Sequence, residues 1–173
     1  MNESLNELQS RYNELCQTIA PSEHEYTFRT DPQDDGSHHV ELIDPEFHYV
    51  VTERGCELER RSTADINEML YWMIHDLTFW MGVAYEFKHR IEEQDCRRII
   101  FAKQIEMMKR ADPEMTDRLK LYIAETLSKH PFNDVCLIAQ PFRLTKKVTA
   151  PQIAAIAKNT PPSAGSGGSS DPL

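Results

Sequence analysis

Apolar residues near the N-terminus recur at steps of three and four. Leu5, Leu8, Tyr12, Leu15 and Ile19 make one stripe, which predicts an amphipathic helix. Ser4-Leu-Asn-Glu7 supplies a capping box at its start. Ala20-Pro21 ends it, because the residue before a proline is driven out of the helical region. Between residues 24 and 61 the period falls to two. The runs "EYTFRT", "HHVELI", "FHYVVTE" and "CELERR" are rich in aromatic and β-branched residues, and turn-forming "DPQDDG", "DPE" and "ERGC" separate them. Phe47, Tyr49 and Val51 alternate with His48, Val50 and Thr52, which predicts a strand with one face inward. Three or four antiparallel strands follow, the last two joined at Arg54-Gly55, where glycine accepts the positive φ of a tight turn.

From Ser62 the helical period returns. Ser62 or Asp65 can cap, and Asp65-Ile-Asn-Glu68 repeats the capping box. Ile66, Leu70, Met73, Leu77, Trp80, Ala84, Phe87 and Ile91 then step by four and three, which predicts one long helix over 62–91 with Leu77 and Trp80 inward. Met69, Ile74, Met81 and Tyr85 widen the stripe and mark this helix as central. Gly82 inside it points to a close approach by another backbone. A third helix is predicted from about Asp95 to Ala111, with Ile100, Phe101, Ile105 and Met108 inward. Asp112 as N-cap and Pro113 at the first position open a fourth, over Glu114–Lys129, with Leu119, Ile123 and Leu127 inward; His130-Pro131 ends it. "DVCLIAQPFRL" fits a short strand and "PQIAAIAKN" a short helix. The expected fold is α+β: a small antiparallel sheet of three or four strands against a layer of three or four helices. Residues 1–157 form one globular domain, and the low-complexity 158–173 is a disordered tail or an added linker.

Composition narrows the class. The 173 residues are 40% hydrophobic and 27% charged, the balance of a soluble domain long enough to close a core. No apolar run reaches the ~18–20 residues of a membrane span. The N-terminus lacks the basic and apolar regions of a signal peptide, so the expected compartment is the cytosol. Cys16, Cys56, Cys96 and Cys136 stand forty residues apart, but their flanks share nothing and no CxxC pair exists to build a thiolate zinc site. They read as reduced thiols, mostly buried.

Charge is unevenly placed. Residues 1–50 hold eleven carboxylates against Arg11 and Arg29, a net of −9, whereas the remainder balances seventeen acids with seventeen bases. A partner drawn by electrostatics meets the acidic end, and free nucleic acid, which needs a basic patch, is excluded. The five bases of "CRRIIFAKQIEMMKR" lie off its apolar face and read as a solvated helix surface. The stretch "DPQDDGSHHVELIDPE" (31–46) concentrates six acids and two histidines. It is no EF-hand: position 12 of that loop is Leu42 where a bidentate glutamate must close the cage. His38 and His39, adjacent on a strand, point to opposite faces and cannot share an ion. His75 reads as a paired core or boundary residue. No GxSxG, HExxH, phosphate-binding glycine loop or Cys–His signature is present, so no catalytic residue, metal or cofactor is assigned. The acids read either as turn residues that water solvates or as a docking face for a basic protein. Segregation of the charge favours the second reading.

The run "FHYVVTERGCELERRSTADINEMLYWMIHDLTF", with "YEFKHRIEEQDCRRIIFAKQIEMM" and "LSKHPFND" downstream, resembles a numbered family of bacterial immunity proteins, the sixty-third from polymorphic toxin systems. The resemblance spans roughly Glu46 to Asp134. It implies a cytosolic antidote without turnover chemistry, which binds and blocks a toxin domain encoded beside it or delivered by kin. The acidic region lies mostly outside that span and gains nothing from it; the segregation of charge is what places Asp31, Asp34, Asp35, Glu41, Asp44 and Glu46 as an expectation on one exposed edge, attracting a basic toxin domain such as a nuclease. A non-enzymatic adaptor is the alternative function, and an enzyme of unassigned chemistry the third.

Overall fold

The computed structural model describes residues 3–20, 27–43 and 45–134. Helix α1 (Glu3–Ile19) precedes three strands, β1 (Asp35–Ile43), β2 (Glu46–Glu53) and β3 (Cys56–Thr63), and three helices follow, α2 (Ile66–Lys88), α3 (Arg97–Ala111) and α4 (Pro113–Lys129). This is the α+β arrangement that the two periodicities predict. Residues 27–30 of the expected first strand are not in a strand; the rest of that run, the strand and helix predicted beyond 134, and the tail lie outside the described residues.

The sheet is antiparallel in the order β1-β2-β3. Val40 pairs with Tyr49 and Tyr49 with Arg61, so one face presents Val40, Phe47, Tyr49 and Val51 to the helices, where they join the core. Arg54 and Gly55 both take positive φ, 54° and 75°, as a two-residue type I′ turn requires. The register slips between Val51 and Thr52, where Glu59 and Glu57 face consecutive β2 residues. Leu58 is therefore the extra residue of a bulge, and it stands exposed.

Helix α2 is capped by Asp65, whose carboxylate accepts from Asn67 N at 2.9 Å. Glu68 does not complete the capping box; it is drawn instead to Arg118 on α4. The buried side of α2 is carried by Met69, Leu70, Met73, Ile74, Thr78, Gly82 and Val83. Leu77 and Trp80 only pack against the core half-buried, and Phe87 and Ile91 are exposed, a correction to the predicted stripe. Alternating steps of four and three average 3.5 residues per turn, whereas a straight helix has 3.6, so a heptad stripe drifts by about 20° per repeat. Over three repeats Phe87 swings out, and the helix stops at Lys88, before Ile91.

The other helices follow their stripes more closely, although Leu5, Leu15, Ile105 and Leu127 only pack half-buried against the core. Leu8, Tyr12 and Ile19 of α1 are buried, with Cys16 added; in α3 Ile100, Phe101 and Met108 are joined by Gln104 and Met107. Gln104 is tolerated there because its amide donates to His75 O at 3.1 Å. Asp112 caps α4 through Met115 N at 2.8 Å, with Pro113 in the first turn. At Gly82 the backbones of α2 and α3 approach closely: a Cβ there would sit 2.9 Å from the Ile100 carbonyl oxygen.

Candidate interaction groove

Among the described residues, the acids of 31–46 do not form one cluster. Asp31 and Asp34 are exposed, and Asp34 stands beside the β2–β3 turn. Asp34 ties itself to that turn, its carboxylate accepting from Gly55 N and its carbonyl from Arg54 N, each at 3.2 Å. Asp35 is half-buried and accepts from Ser37 N at 2.9 Å. Burial alone would raise its carboxyl, but the Ser37 hydrogen bonds and the nearby Arg29 charge outweigh it and hold the group below its ordinary value. Glu41 lies further along β1, on the sheet face away from the core. It pairs with Arg60 at 2.7 Å and His39 at 3.2 Å, and the Arg60 bonds keep it ionised below the usual range. Glu46 opens β2 at the far end of β1, paired in register with Ile43, about 25 Å from Asp35 by strand rise. Asp44 lies outside the described residues. His38 and His39 do take opposite faces: His38 stacks on Tyr49 and reaches Asp76 at 3.3 Å, while His39 turns to Glu41.

A second constellation arises where β3 and α4 flank α2. Tyr71, Trp72, His75 and Asp76 of α2 form the floor of a groove of about 540 Å³. Glu59 and Arg61 of β3 make one wall; Arg118, Leu121, Tyr122 and Glu125 of α4 make the other. Local structure explains each placement. Beyond the bulge, Glu59 and Arg61 alternate onto the helix side of the sheet. On α2, residues 71, 72, 75 and 76 fall on adjacent turns of one side. On α4, Leu119 and Ile123 turn inward, which leaves Leu121 and Tyr122 facing out, 73% and 51% exposed.

The groove alternates guanidinium and ring. Arg61 lies over both Tyr49 and Trp72, at 4.6 and 5.0 Å from their centroids, and Arg118 lies 3.8 Å over Tyr71. His75 meets Tyr122 edge-on at 5.1 Å. Each arginine brings its own carboxylate: Glu59 at 2.9 Å from Arg61, and Glu68 doubly bonded to Arg118. Those bonds from Arg118 lower the Glu68 carboxyl despite its partial burial. Burial lowers the His75 imidazole below its ordinary value, against the pull of Asp76, so it adds no positive charge near neutral pH. Trp, Tyr and Arg, which line this concavity, are among the residue types that carry most binding energy at protein interfaces. The sequence signal for this groove was present: Leu121-Tyr122 sits off the Leu119/Ile123 stripe, an apolar pair with no inward place to go.

Among the described residues no three His, Cys, Asp or Glu side chains are arranged to hold a metal ion, and no helix is long and apolar enough to cross a membrane. Sheet, helices and groove together define a small α+β arrangement. The family model described as Immunity protein 63 matches residues 44–125, and it supports the family resemblance read from the sequence. Every residue lining the groove lies inside that stretch, and Asp31, Asp34, Asp35 and Glu41 lie outside it. No curated protein and no solved structure matches the chain.

Proposed function

We propose that this chain is an antidote of the cytosol that binds a cognate toxin domain and blocks it, without turning over a substrate. The observation that carries this reading is the Immunity protein 63 match over 44–125, the stretch that builds the aromatic groove. The acidic N-terminal third supports a basic partner, such as a nuclease domain. In this reading Asp31, Asp34, Asp35, Glu41, Asp44 and Glu46 contribute to a negative field that steers the encounter, and a field needs no single cluster to act over roughly a Debye length.

The test is co-expression with the toxin domain encoded beside the chain. Growth is restored and the two proteins co-purify if the reading holds; a toxin equally lethal with and without the chain refutes it. The acidic contribution is separable. Changing Asp31, Asp34 and Asp35 together to Asn slows association at low salt, and the difference shrinks at high salt. An unchanged association rate at both salts would reduce these acids to solvated turn residues.

A further inference from the structure

We propose that residues 135–157 of this chain run back across the outer face of the sheet, the face turned away from the helices, and cover its centre as a basic, apolar strap. The inference stands apart from the toxin-binding reading.

The first observation is a dry surface on the wrong side of the sheet. Val40, Phe47, Tyr49 and Val51 turn to the helices, so His39, His48, Val50 and Thr52 point the other way. An antiparallel sheet with helices on one side turns its other face to water. Here Val50 and His39 are each 1% exposed, as dry as the core, although neither belongs to the core cluster. Ile43, at the rim of the same face, is 57% exposed. Arg60 reaches over Val50 to Glu41 and shields it in part. His39 is screened at its flanks by its sheet neighbours and by residues 27–30, which lie beside β1 with Arg29 O accepting from Val40 N at 2.8 Å. Its outward side asks for a layer above. These exposures belong to one chain by itself, so neither a second copy nor a partner dries the face. Three buried polar atoms on it, His39 Nδ1, His48 Nδ1 and Thr52 Oγ1, have no hydrogen-bond partner among the described residues. Buried groups of that kind are normally paired, and a main chain crossing above them brings both amides and carbonyls.

The second observation is which part of the chain can supply that layer. Outside the described residues stand 1–2, 21–26, Asp44 and 135–173. The first pair and Asp44 are too short. Residues 21–26 leave Ala20 at the end of α1 and return to Phe28, whose ring meets Tyr12 of the same helix at 6.1 Å, so both their ends lie on the helix side. Residues 158–173 are rich in glycine, serine and proline and unsuited to drying a valine. Residues 135–157 remain, and they carry Val135, Leu137, Ile138, Phe142 and Leu144. Their start is fixed, because Asp134 accepts from Asp95 N at 3.0 Å and from Arg98 at 2.9 Å. Extended at ~3.3 Å per residue they reach about 75 Å, well beyond the length of any strand in the sheet. Charge agrees as well. Every charged residue of the segment is basic, Arg143, Lys146 and Lys147, whereas residues 1–134 hold twenty-seven acids against fifteen bases, a net of −12. A strap in this place makes the sheet a middle layer and closes its outer face to partners.

The test reads nuclear Overhauser contacts in the full, isotope-labelled chain. The Val50 methyls and the His39 ring are expected to show contacts to side chains of residues 135–157 within the same molecule. A second arm uses the full chain carrying Leu137→Asp, Ile138→Asp and Phe142→Asp together, and follows acylation of histidine by diethyl pyrocarbonate. His39 is expected to react at least tenfold faster than in the parent. The exposed His89 should react equally in both, and buried Cys16 should stay closed to iodoacetamide. The proposal is overturned if the contacts of Val50 and His39 are confined to residues 1–134. It is overturned too if those contacts come from another molecule, which mixing labelled and unlabelled chains reveals. An unchanged His39 rate in a variant whose Cys16 stays closed has the same consequence. Should Cys16 open, the variant has unfolded, and the contacts in the parent chain decide.

Discussion

Replacing Gly82 by alanine puts two effects of opposite sign into one methyl group. In a helix interior alanine is favoured over glycine by about 1 kcal/mol, so on α2 alone the change stabilises. The added Cβ, however, would stand 2.9 Å from the Ile100 carbonyl oxygen and 3.4 Å from its Cγ2. The oxygen belongs to the backbone of α3, so no side-chain rotation relieves the contact; α3 must move by several tenths of an ångström. Ile100 is 2% exposed and packs in the shared core, so that motion loosens its neighbours as well. Overpacking of this kind costs about 1–3 kcal/mol. Set against the propensity gain, Gly82→Ala is expected to lower stability by about 1 kcal/mol. With a urea m-value of about 1–2 kcal/mol/M, the unfolding midpoint falls by about 0.5–1 M. Ala124→Gly, on the exposed side of α4, calibrates the propensity in the same molecule. A Gly82→Ala protein more stable than the parent, by as much as Ala124→Gly is less stable, would refute the close approach of α2 and α3.

Asp95 gives a pH signature. Burial works to raise its carboxyl, yet the bonds from Arg97 and from Asn133 N prevail and hold it at about 2. A depressed carboxyl stabilises fully above its unfolded value near 4 and loses that contribution as pH falls through 2, so Asp95→Asn is expected to cost about 2 kcal/mol at pH 7 and progressively less between pH 4 and pH 2. Asp112→Ala removes the cap on Met115 N and is expected to cost about 1 kcal/mol by urea unfolding. Burial pushes the Cys16 thiol up to about 12, while Cys56 is exposed at the hairpin. Peptide mapping after brief iodoacetamide treatment of the native protein should find Cys56 alkylated and Cys16 intact, and equal labelling of the two would contradict the packing of α1.

Local chemistry made most of the elements legible. The Arg54-Gly55 turn, the Asp65 and Asp112 caps and the Pro113 start each depend on residues within four positions of one another, and each appears where the sequence places it. The inward positions of α1 and α4 followed because one face of each is buried. Helix α2 defeated the same reasoning, since it is apolar around much of its circumference and several faces are covered, so a single stripe mislocated Trp80 and Phe87. The groove was harder still. Its walls come from residues 59–61 and 118–125, joined only by the packing of α3 and α4 on α2, and the outward Leu121-Tyr122 pair hints at the α4 wall without telling that β3 stands opposite it. The acids of 31–46 attracted notice because they are dense in sequence, yet the strand carries Glu46 away from Asp31, Asp34 and Asp35, and Glu41 is spent on Arg60 and His39.

The account turns on where a toxin domain touches this chain, and hydrogen exchange read by mass spectrometry addresses that directly. The chain is exchanged alone and with the co-purified toxin domain. Slowed exchange is expected in β3 around Arg61 and across the exposed face of α4 around Leu121 and Tyr122, lost together with binding in a Leu121→Arg variant. Protection that leaves both segments unchanged while the complex remains intact would contradict it, and would place the toxin on another face of the molecule.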